Sequence, residues 1–472
     1  MRAAVPQHMP ERVRAAIIRP PQIEDVLDAV TDAARETGIE TYLVGGFVRD
    51  RLLGRVGKDL DLVTVGVEGV PVLDRVARHF GWPPAQRFDR FGTGQIRGDG
   101  FVLEVVRARS EEYDPESRKP DVKPGTLEED VWRRDFTVNA LCQTFDGHVL
   151  DITGHGLDDL RAGVLRTPLE PGDTFAEDPL RMFRGARFVA QLSFSLAAGI
   201  LEAMRGQAHR VGILSIERVS EELRRILTAP HPSLGFHVLR DGGLLDAVMP
   251  GVSAMIGVEQ GGYHIYDVFD HTMDALDKAP PDLITRAAVL LHDVGKPPTH
   301  AVTADGRHTF YDHPQVGARI TRELLTRLRF SNDEINAICR LVSLHLRPIQ
   351  YDEAAFSDAA VRRLIRDAGD LRTKMLDVAR ADTLASSFPT TQGIDDLEQR
   401  MASLDAGGEV SHLRDPLTGE EIMRMAGRGP GPWVGRIKRA IQDAVLDGTI
   451  PPGDADAARA WLESHRELLT AD

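Results

Sequence analysis

The chain has 472 residues, of which 42% are hydrophobic, and a formal net charge of −15 at pH 7. Such a length exceeds one hydrophobic core, so about three or four domains are expected. The acidic balance argues against a nonspecific duplex-coating protein, while leaving room for a local RNA-binding surface. The two cysteines, Cys142 and Cys339, lie far apart and outside any C-x-x-C pattern, and no apolar run approaches a secretion signal or a membrane span. A cytoplasmic protein without disulfides, metal-binding cysteines or membrane attachment is therefore expected. Nearly all the positive charge is arginine, which suits phosphate and base-edge recognition, although GC-rich coding produces the same bias.

In chain order, TYLVGG (41–46) reads as a strand ending in a glycine turn, followed by the helix FVRDRLLG. DLDLVTV (59–65), FVLEVVRA (101–108) and HVLDI (148–152) read as further strands and PVLDRVARHF (71–80) as a helix. After Pro171 the strand signals fade, and from ERVSEELRRIL (217–227) to the end the pattern is helical. Glycine and proline punctuate it at TAPHPS, MPGV, KAPPD, FPTTQG and GRGPGPW. The predicted organisation is a multidomain α+β chain. A mixed α/β head occupies 22–165, a helical neck 166–255, a histidine-rich helical domain 256–390 and a helical tail 391–472.

Asp59 and Asp61 stand two apart on one predicted strand, so both project from one face with Leu60 turned away. Two carboxylates so placed can share hard cations, and Mg2+ favours one or two carboxylates plus substrate phosphates. Gly45-Gly46 frees the preceding strand-to-helix junction of side chains, so a triphosphate can approach backbone N–H groups there. Glu104, on another predicted strand, supplies a third carboxylate. Taken singly, each feature is ordinary: a turn, a chance D-x-D, a solvated glutamate.

The succession GG-x-x-RD-x-x-x-G and then D-x-D resembles the nucleotidyltransferase head, polymerase-β-like in fold, of class II CCA-adding enzymes and bacterial poly(A) polymerases. Further segments follow in that family's order. EYDPESRKP resembles its flexible loop, RRDFTVNAL (133–141) its sugar-binding segment and DITGHGLDDLRAGVLR (151–166) its hinge. EDPLR (177–181) resembles its nucleobase-recognition motif and SIERVSEEL (215–223) the supporting helix. The resemblance implies transfer of nucleotides from CTP and ATP to a tRNA 3′ end with Mg2+ held by Asp59 and Asp61, Glu104 assisting. It also implies nucleotide contacts from Gly45, Gly46, Arg49, Arg133, Arg134, Asp135 and Asn139, and a loop role for Tyr113, Asp114 and Arg118. The family's loop usually reads Y-x-D-x-R-x-P, whereas this chain reads Y-D-P-E-S-R-K-P, so addition of the terminal A alone stays an alternative beside CCA addition. Poly(A) synthesis is a further alternative.

Within EDPLR, Asp178 and Arg181 are three apart and on a helix would share a face. Cytosine and adenine each offer an exocyclic amine beside a ring-nitrogen acceptor, which a carboxylate and a guanidinium can read together. Uracil and guanine set an oxygen lone pair against the carboxylate instead. Arg184 and Arg187, one and two turns further on, guide the triphosphate or RNA, or else lie on a solvated helix face.

Residues 264–390 contain DVFDHTMDAL, AVLLHDVGKPPTH, TFYDHPQVGA, LVSLHLRP and DVARADTLAS. They resemble the HD domain of metal-dependent phosphohydrolases, whose pattern is H…HD…D. The match implies metal ligands at His271, His292, Asp293 and Asp382, with His313 and His345 in the places of the extra ligands some members carry. Such a donor set suits Mg2+ or a transition metal alike. It leaves open an HD phosphohydrolase whose head merely binds RNA, and equally an inherited helical spacer. In the tail, GRGPGPWVGRIKR (427–439) offers basic residues and Trp433 for contacting tRNA, and an ordinary helix pair fits the same pattern. Nothing in the sequence fixes the oligomeric state.

Overall fold

The computed structural model describes residues 21–55, 57–88, 92–112, 121–261, 266–387, 389–407, 410 and 415–470. The flexible-loop residues Tyr113, Asp114 and Arg118 lie outside these. Contacts divide the chain into two compact units, one of residues up to Glu222 with Leu234–Ala247, the other of Leu223–Ser233 with Val248 onward.

The first unit is built on a mixed sheet. Its strands are β1 (Thr41–Val44), β2 (Asp59–Thr64), β3 (Gln86–Phe88), β4 (Thr93–Gly98), β5 (Phe101–Arg107), β8 (Cys142–Gln143) and β9 (Val149–Leu150), in the order β3-β4-β5-β2-β1-β8-β9. The strands β6 (Arg109–Glu112) and β7 (Asp121–Pro124) form a separate antiparallel pair. Alternation on β2 buries Leu60 and Leu62 while Asp59 and Asp61 face the other way, as expected of a half-buried strand. β2 runs antiparallel to β1 and parallel to β5, so a crossover, not a hairpin, joins β2 to β5. The helix Val70–Phe80 and strands β3 and β4 fill that crossover. Val72, Leu73, Val76 and Ala77 form the helix's buried stripe, and it packs on the helix Ile23–Thr37 through the latter's Val26, Ala29, Val30 and Ala33. Gly69 lets the start of the helix Val70–Phe80 sit on the sheet: a Cβ there would lie 2.2 Å from Val105 of β5 and 2.7 Å from Thr64 of β2.

The predicted strands at 41, 59 and 101 are present, whereas HVLDI contributes only the two residues of β9. β3 and β4 went unread because QRF and TGQIRG lack a clear apolar alternation. The rest of this unit is mostly helical, chiefly Pro171–Glu177, Leu180–Leu192 and Ile200–Gln207, with one short parallel strand pair at Val164–Leu165 and Ser195–Leu196.

In the second unit, the helices Val268–Lys278, Leu283–Leu291, His313–Arg327, Asn332–Leu344 and Arg372–Leu384 pack together. LITRAAVLL is buried along nearly its whole length, which marks it as the central helix. Beyond it, the tail helices Gly419–Ala426, Pro432–Leu446 and Ala455–Ser464 close over their own core of Ile422, Trp433, Ile437, Ile441 and Leu462. Trp433 is therefore a core residue, its Nε1 donating to Gly429 O at 3.2 Å, and its ring is not offered for stacking as the sequence allowed. No helix of the described residues is long and apolar enough to cross a membrane.

Candidate active site and metal centre

Pairing of β2 with β5 sets Asp61 directly opposite Glu104, with Asp59 two residues along the same face. Asp59 is exposed, whereas Asp61 and Glu104 are half-buried. Burial, and then the charges of Glu104 and Asp59, push the Asp61 carboxyl up to about 6, against the opposing pull of Arg134 and Arg184. The strand-to-helix turn at Gly45-Gly46 abuts this carboxylate: a Cβ at Gly45 would lie 3.4 Å from Asp61 Oδ2, and one at Gly46 4.0 Å. Gly45 also has φ +70°, so a side chain would be strained there. The two glycines thus leave Asp61 open toward the start of the helix Gly45–Leu52. Three like-charged oxygen donors on one face, one of them reluctant to ionise, fit a hard divalent cation. Among the described residues only histidine-containing triads bring three donor atoms within 4.8 Å of one another, so Asp59, Asp61 and Glu104 share a face without closing into so tight a cluster.

Behind the carboxylates runs a chain of charged side chains. Arg49 is buried, forks onto Asp50 with both contacts at 2.9 Å, and donates to Asn139 Oδ1 at 2.6 Å. Asn139 Nδ2 donates to Asp135 Oδ1 at 3.1 Å, and Arg184 Nε donates to Asp135 Oδ2 at 2.6 Å. Burial opposes the Asp135 charge, yet Arg184, Asn139 and the Phe136 amide hold its carboxyl down to about 2. Arg49, Arg184 and Arg187 all lie against the Phe188 ring, at 5.2, 5.4 and 4.3 Å from its centroid. Arg187 is buried and paired with Glu222 at 3.2 Å, which excludes the solvated face the sequence left open for it. Arg133 and Arg134 share one partner, the fully buried Asp130.

The expectation that Asp178 and Arg181 share a helical face is corrected. The helix Pro171–Glu177 ends at Asp178, which is extended at φ −135° and ψ 101°, and Pro179 opens the next helix. X-Pro disfavours helical backbone at the residue before the ring, and that breaks the pair's common helix. Arg181 is buried and donates to Thr174 O at 3.0 Å, to Glu177 Oε2 at 2.7 Å and to Arg133 O at 2.6 Å. Asp178 instead accepts from Leu180 N at 3.0 Å and from Arg218 Nη2 at 2.9 Å.

The second unit gathers all six predicted HD residues at helix ends. His271 lies in the first turn of its helix, Asp382 in the last turn of another, and His292 and His345 directly follow the helices Leu283–Leu291 and Asn332–Leu344. Two triads result, His271/His292/Asp382 and Asp293/His313/His345, each with donor atoms within 4.8 Å of one another. His271 Nε2 is 2.9 Å from Asp382 Oδ1, and His313 Nε2 is 3.3 Å from Asp293 Oδ1. The Nδ1 atoms of His292, His313 and His345 engage main-chain carbonyls at 2.6, 2.8 and 2.7 Å, which turns each Nε2 into the cluster. His292 Nε2 is buried 3.1 Å from Asp293 Oδ2 without the alignment of a hydrogen bond. Burial opposes its protonation, but Asp293 and Asp382 lift the imidazole to about 9. His345, by burial and then by the charge of His292, is held down to about 4. An unsatisfied imidazole nitrogen facing two carboxylates fits a divalent ion, and the mixed donor set does not select which.

Several site residues escaped the sequence reading. Asp130 precedes Arg133 and Arg134 by three and four positions at the end of one helix, so helical spacing could have found it, whereas Glu177 meets Arg181 across the break at Asp178-Pro179. Glu222 and Arg218 reach their partners only through the fold. Lys296, 2.6 Å from Asp293 Oδ2, stands three residues after it in HDVGK, again within helical reach.

Comparison with known proteins places the chain in a family. The family model of the poly A polymerase head domain matches residues 41–166, that of the probable RNA and SrmB-binding site of polymerase A matches 193–256, and the HD domain matches 261–386. An A-adding tRNA nucleotidyltransferase of Deinococcus radiodurans is 36% identical over 90% of this chain and 95% of its own length. A CC-adding tRNA nucleotidyltransferase of Thermus thermophilus is 33% identical over 90% of this chain and 93% of its own. A multifunctional CCA protein of Chromobacterium violaceum is 36% identical over 73% and 84%. In fold, the solved Bacillus stearothermophilus CCA-adding enzyme in complex with CTP aligns with 95% of this chain and 98% of its own, with a TM-score of 0.64 at 24% identity. The chain belongs to the class II family of CCA-adding tRNA nucleotidyltransferases and poly(A) polymerases, and carries an HD domain.

Proposed function

We propose that this protein adds C, C and A to the 3′ end of tRNA, taking CTP and ATP in turn and releasing pyrophosphate. The observation that carries the reading is that Asp59, Asp61 and Glu104 share one face of the adjacent strands β2 and β5, with Asp61 beside the side-chain-free Gly45-Gly46 turn. Mg2+, when bound there, supplies charge neutralisation to the attacking 3′ oxygen and the departing pyrophosphate. Asp59 and Asp61 hold it, with Glu104 opposite Asp61. The helix start presents the Gly46 N–H to the triphosphate, that of Gly45 being bonded to Leu141 O at 3.3 Å, and Arg133 and Arg134 add positive charge at the sugar and phosphates. Asp135 and Asn139 keep Arg49 and Arg184 at fixed positions along the same wall. Asp178 accepts from the exocyclic amine of cytosine or adenine in exchange for Arg218, while Arg181 donates to the ring nitrogen in exchange for one of its contacts with Thr174 O, Glu177 or Arg133 O. A tRNA substrate implies work in the cytoplasm.

A second reading, addition of the terminal A alone, is favoured by the A-adding relative at 36% identity across 95% of its length and by the altered start of the loop segment. The test is sequencing of the 3′ ends made on tRNA lacking CCA, on tRNA ending in CC and on an unrelated RNA, with each NTP offered separately and together. CCA on the first substrate is the expected product. Extension of the CC-ended tRNA alone supports the second reading, and long A tails on any RNA without C incorporation would establish a poly(A) polymerase. Nucleotide transfer unchanged in Asp59→Ala and Asp61→Ala would detach the activity from these carboxylates, and no transfer to any RNA would leave an HD phosphohydrolase with an RNA-binding head. For the HD cluster we infer a divalent-metal site acting on cyclic or terminal phosphates of RNA.

A further inference from the structure

We propose that Asp130, which no motif above assigns, is a positioning residue that holds Arg134 away from Asp61 and so keeps that carboxylate available to a divalent cation. The inference rests on the reading of the head just given and deepens it. Asp130 is wholly buried, at 0% exposure, and pairs with two adjacent guanidiniums, leaving a net charge of about +1 on the trio. Its Oδ1 accepts from Arg133 Nε at 3.1 Å and its Oδ2 from Arg134 Nη2 at 2.9 Å. The remaining bonds of Arg134 are weak: Nη1 reaches Asn139 O at 3.3 Å, and the buried Nε has no acceptor.

The same guanidinium lines the gap in front of the carboxylates. A Cβ at Gly45 would stand 3.3 Å from Arg134 Nη1 and 3.4 Å from Asp61 Oδ2, so the two groups face each other across the volume the glycine leaves empty. Yet the ion pair is made with Asp130. Asp61, flanked by Asp59 and Glu104, lies in the more negative neighbourhood, and Coulomb attraction would draw an unclaimed guanidinium onto it. Once there, Arg134 would occupy a lone pair of Asp61 and set a positive charge where the cation binds. Asp130 prevents this from a fixed position. It lies in the short helix Leu127–Trp132, whose start is clamped by a reciprocal Thr126/Glu129 capping box, with contacts of 3.1 and 2.7 Å. Arg133, on the other oxygen, keeps the carboxylate from turning.

The test measures Mn2+ binding by the loss of the free-ion electron paramagnetic resonance signal. The parent is the full chain carrying His292→Ala and Asp293→Ala, so that the HD cluster does not contribute ions. Asp130→Asn is expected to weaken Mn2+ binding tenfold or more, and Asp130→Glu to stay within threefold of the parent. Adding Arg134→Gln to Asp130→Asn is expected to restore the parent affinity within threefold, a rescue that a merely structural role of Asp130 would not show. The double variant Asp130→Asn/Arg133→Gln has the same charge but retains Arg134, and is expected to stay weak. This charge-matched pair decides the matter where Asp130→Asn alone does not fold. Equal affinity in the two double variants, or unchanged affinity in a folded Asp130→Asn, overturns the proposal alone. A parent that binds no more Mn2+ than its Asp59→Ala/Asp61→Ala derivative overturns both the proposal and the cation-dependent reading of the head.

Discussion

Asp61 on β2 and Glu104 on β5 are register partners on adjacent parallel strands, so two carboxylates stand side by side on the sheet face that meets the glycine turn. Burial and the neighbouring Glu104 and Asp59 raise the Asp61 carboxyl to about 6. The folded value lies above the unfolded one, so in the metal-free protein this group's contribution to stability is fully present below about 4 and is lost as pH rises through about 6. A cation competes with the same proton. At subsaturating Mg2+, nucleotide transfer is expected to fall as pH drops below about 6, approaching tenfold per pH unit, and Mg2+ is expected to raise the melting temperature more at pH 7.5 than at pH 5. Thermal scans with and without Mg2+, beside CTP incorporation at pH 5 to 8, check both. An equal Mg2+ effect at the two pH values would reject the assignment of Asp61 as a ligand.

Base choice is the second testable point. Asp178 closes one helix and pairs with Arg218, while Arg181 is anchored by Glu177, Thr174 O and Arg133 O. If Asp178 selects the exocyclic amine, Asp178→Ala removes the lone pair that rejects uracil and guanine. Discrimination of CTP over UTP is expected to shrink by about 1–3 kcal/mol, roughly five- to 150-fold. The measurement is the ratio of kcat/KM for CTP and UTP on tRNA lacking CCA. An unchanged ratio with a lowered kcat would assign Asp178 to helix geometry instead of base reading.

Much of this site was legible because its information is local. D-x-D on a strand forces Asp59 and Asp61 to one face, and HD with four further histidine or aspartate positions survives any arrangement of helices that brings their ends together. What stayed hidden depends on the neighbours. The helical spacing of Asp178 and Arg181 was defeated by one proline, whose ring sets the preceding backbone extended. Trp433, in a run rich in arginine and glycine, looked like a stacking platform, yet the tail helices bury its ring. Arg187 and Glu222 are 35 residues apart, and only the packing of their two helices makes them a buried pair. β3 and β4 carry too little alternation to announce a hairpin, although they complete one edge of the sheet that positions Glu104.

The second unit offers a stability test remote from its metal cluster. Glu334 takes a two-pronged contact from Arg224, both bonds at 2.7 Å, while it caps the helix Asn332–Leu344 together with Ser331. The Arg224 hydrogen bonds, against the cost of burial and with help from Ser331, lower its carboxyl to about 2. Because the folded value is depressed, the stabilisation is present above the unfolded pKa of about 4.5 and is lost as pH falls toward 2. Glu334→Gln is expected to cost about 1–2 kcal/mol at pH 7 and to lose most of that difference near pH 2. Chemical denaturation at several pH values measures it, and a cost that does not vary with pH would assign the effect to packing rather than charge.

The HD cluster yields the last prediction. His292 contributes to the triad with His271 and Asp382, and Asp293 to that with His313 and His345, so consecutive residues serve different halves of the cluster. Lys296 is the one cation of the described residues within ion-pair range of Asp293 apart from the imidazoles. A divalent ion bound through Asp293 would compete with that ammonium, whereas one bound through His271, His292 and Asp382 would not. If both halves bind, His292→Ala and Asp293→Ala each lose metal in elemental analysis of purified full-length protein, while Lys296→Gln retains or gains it. Nucleotide transfer by the head is expected to stay within threefold of the unaltered chain in all three variants, because no head carboxylate is touched. Metal content unaltered in both ligand variants would reject the cluster as a metal centre. Loss in His292→Ala alone would confine the ion to the His271/His292/Asp382 half.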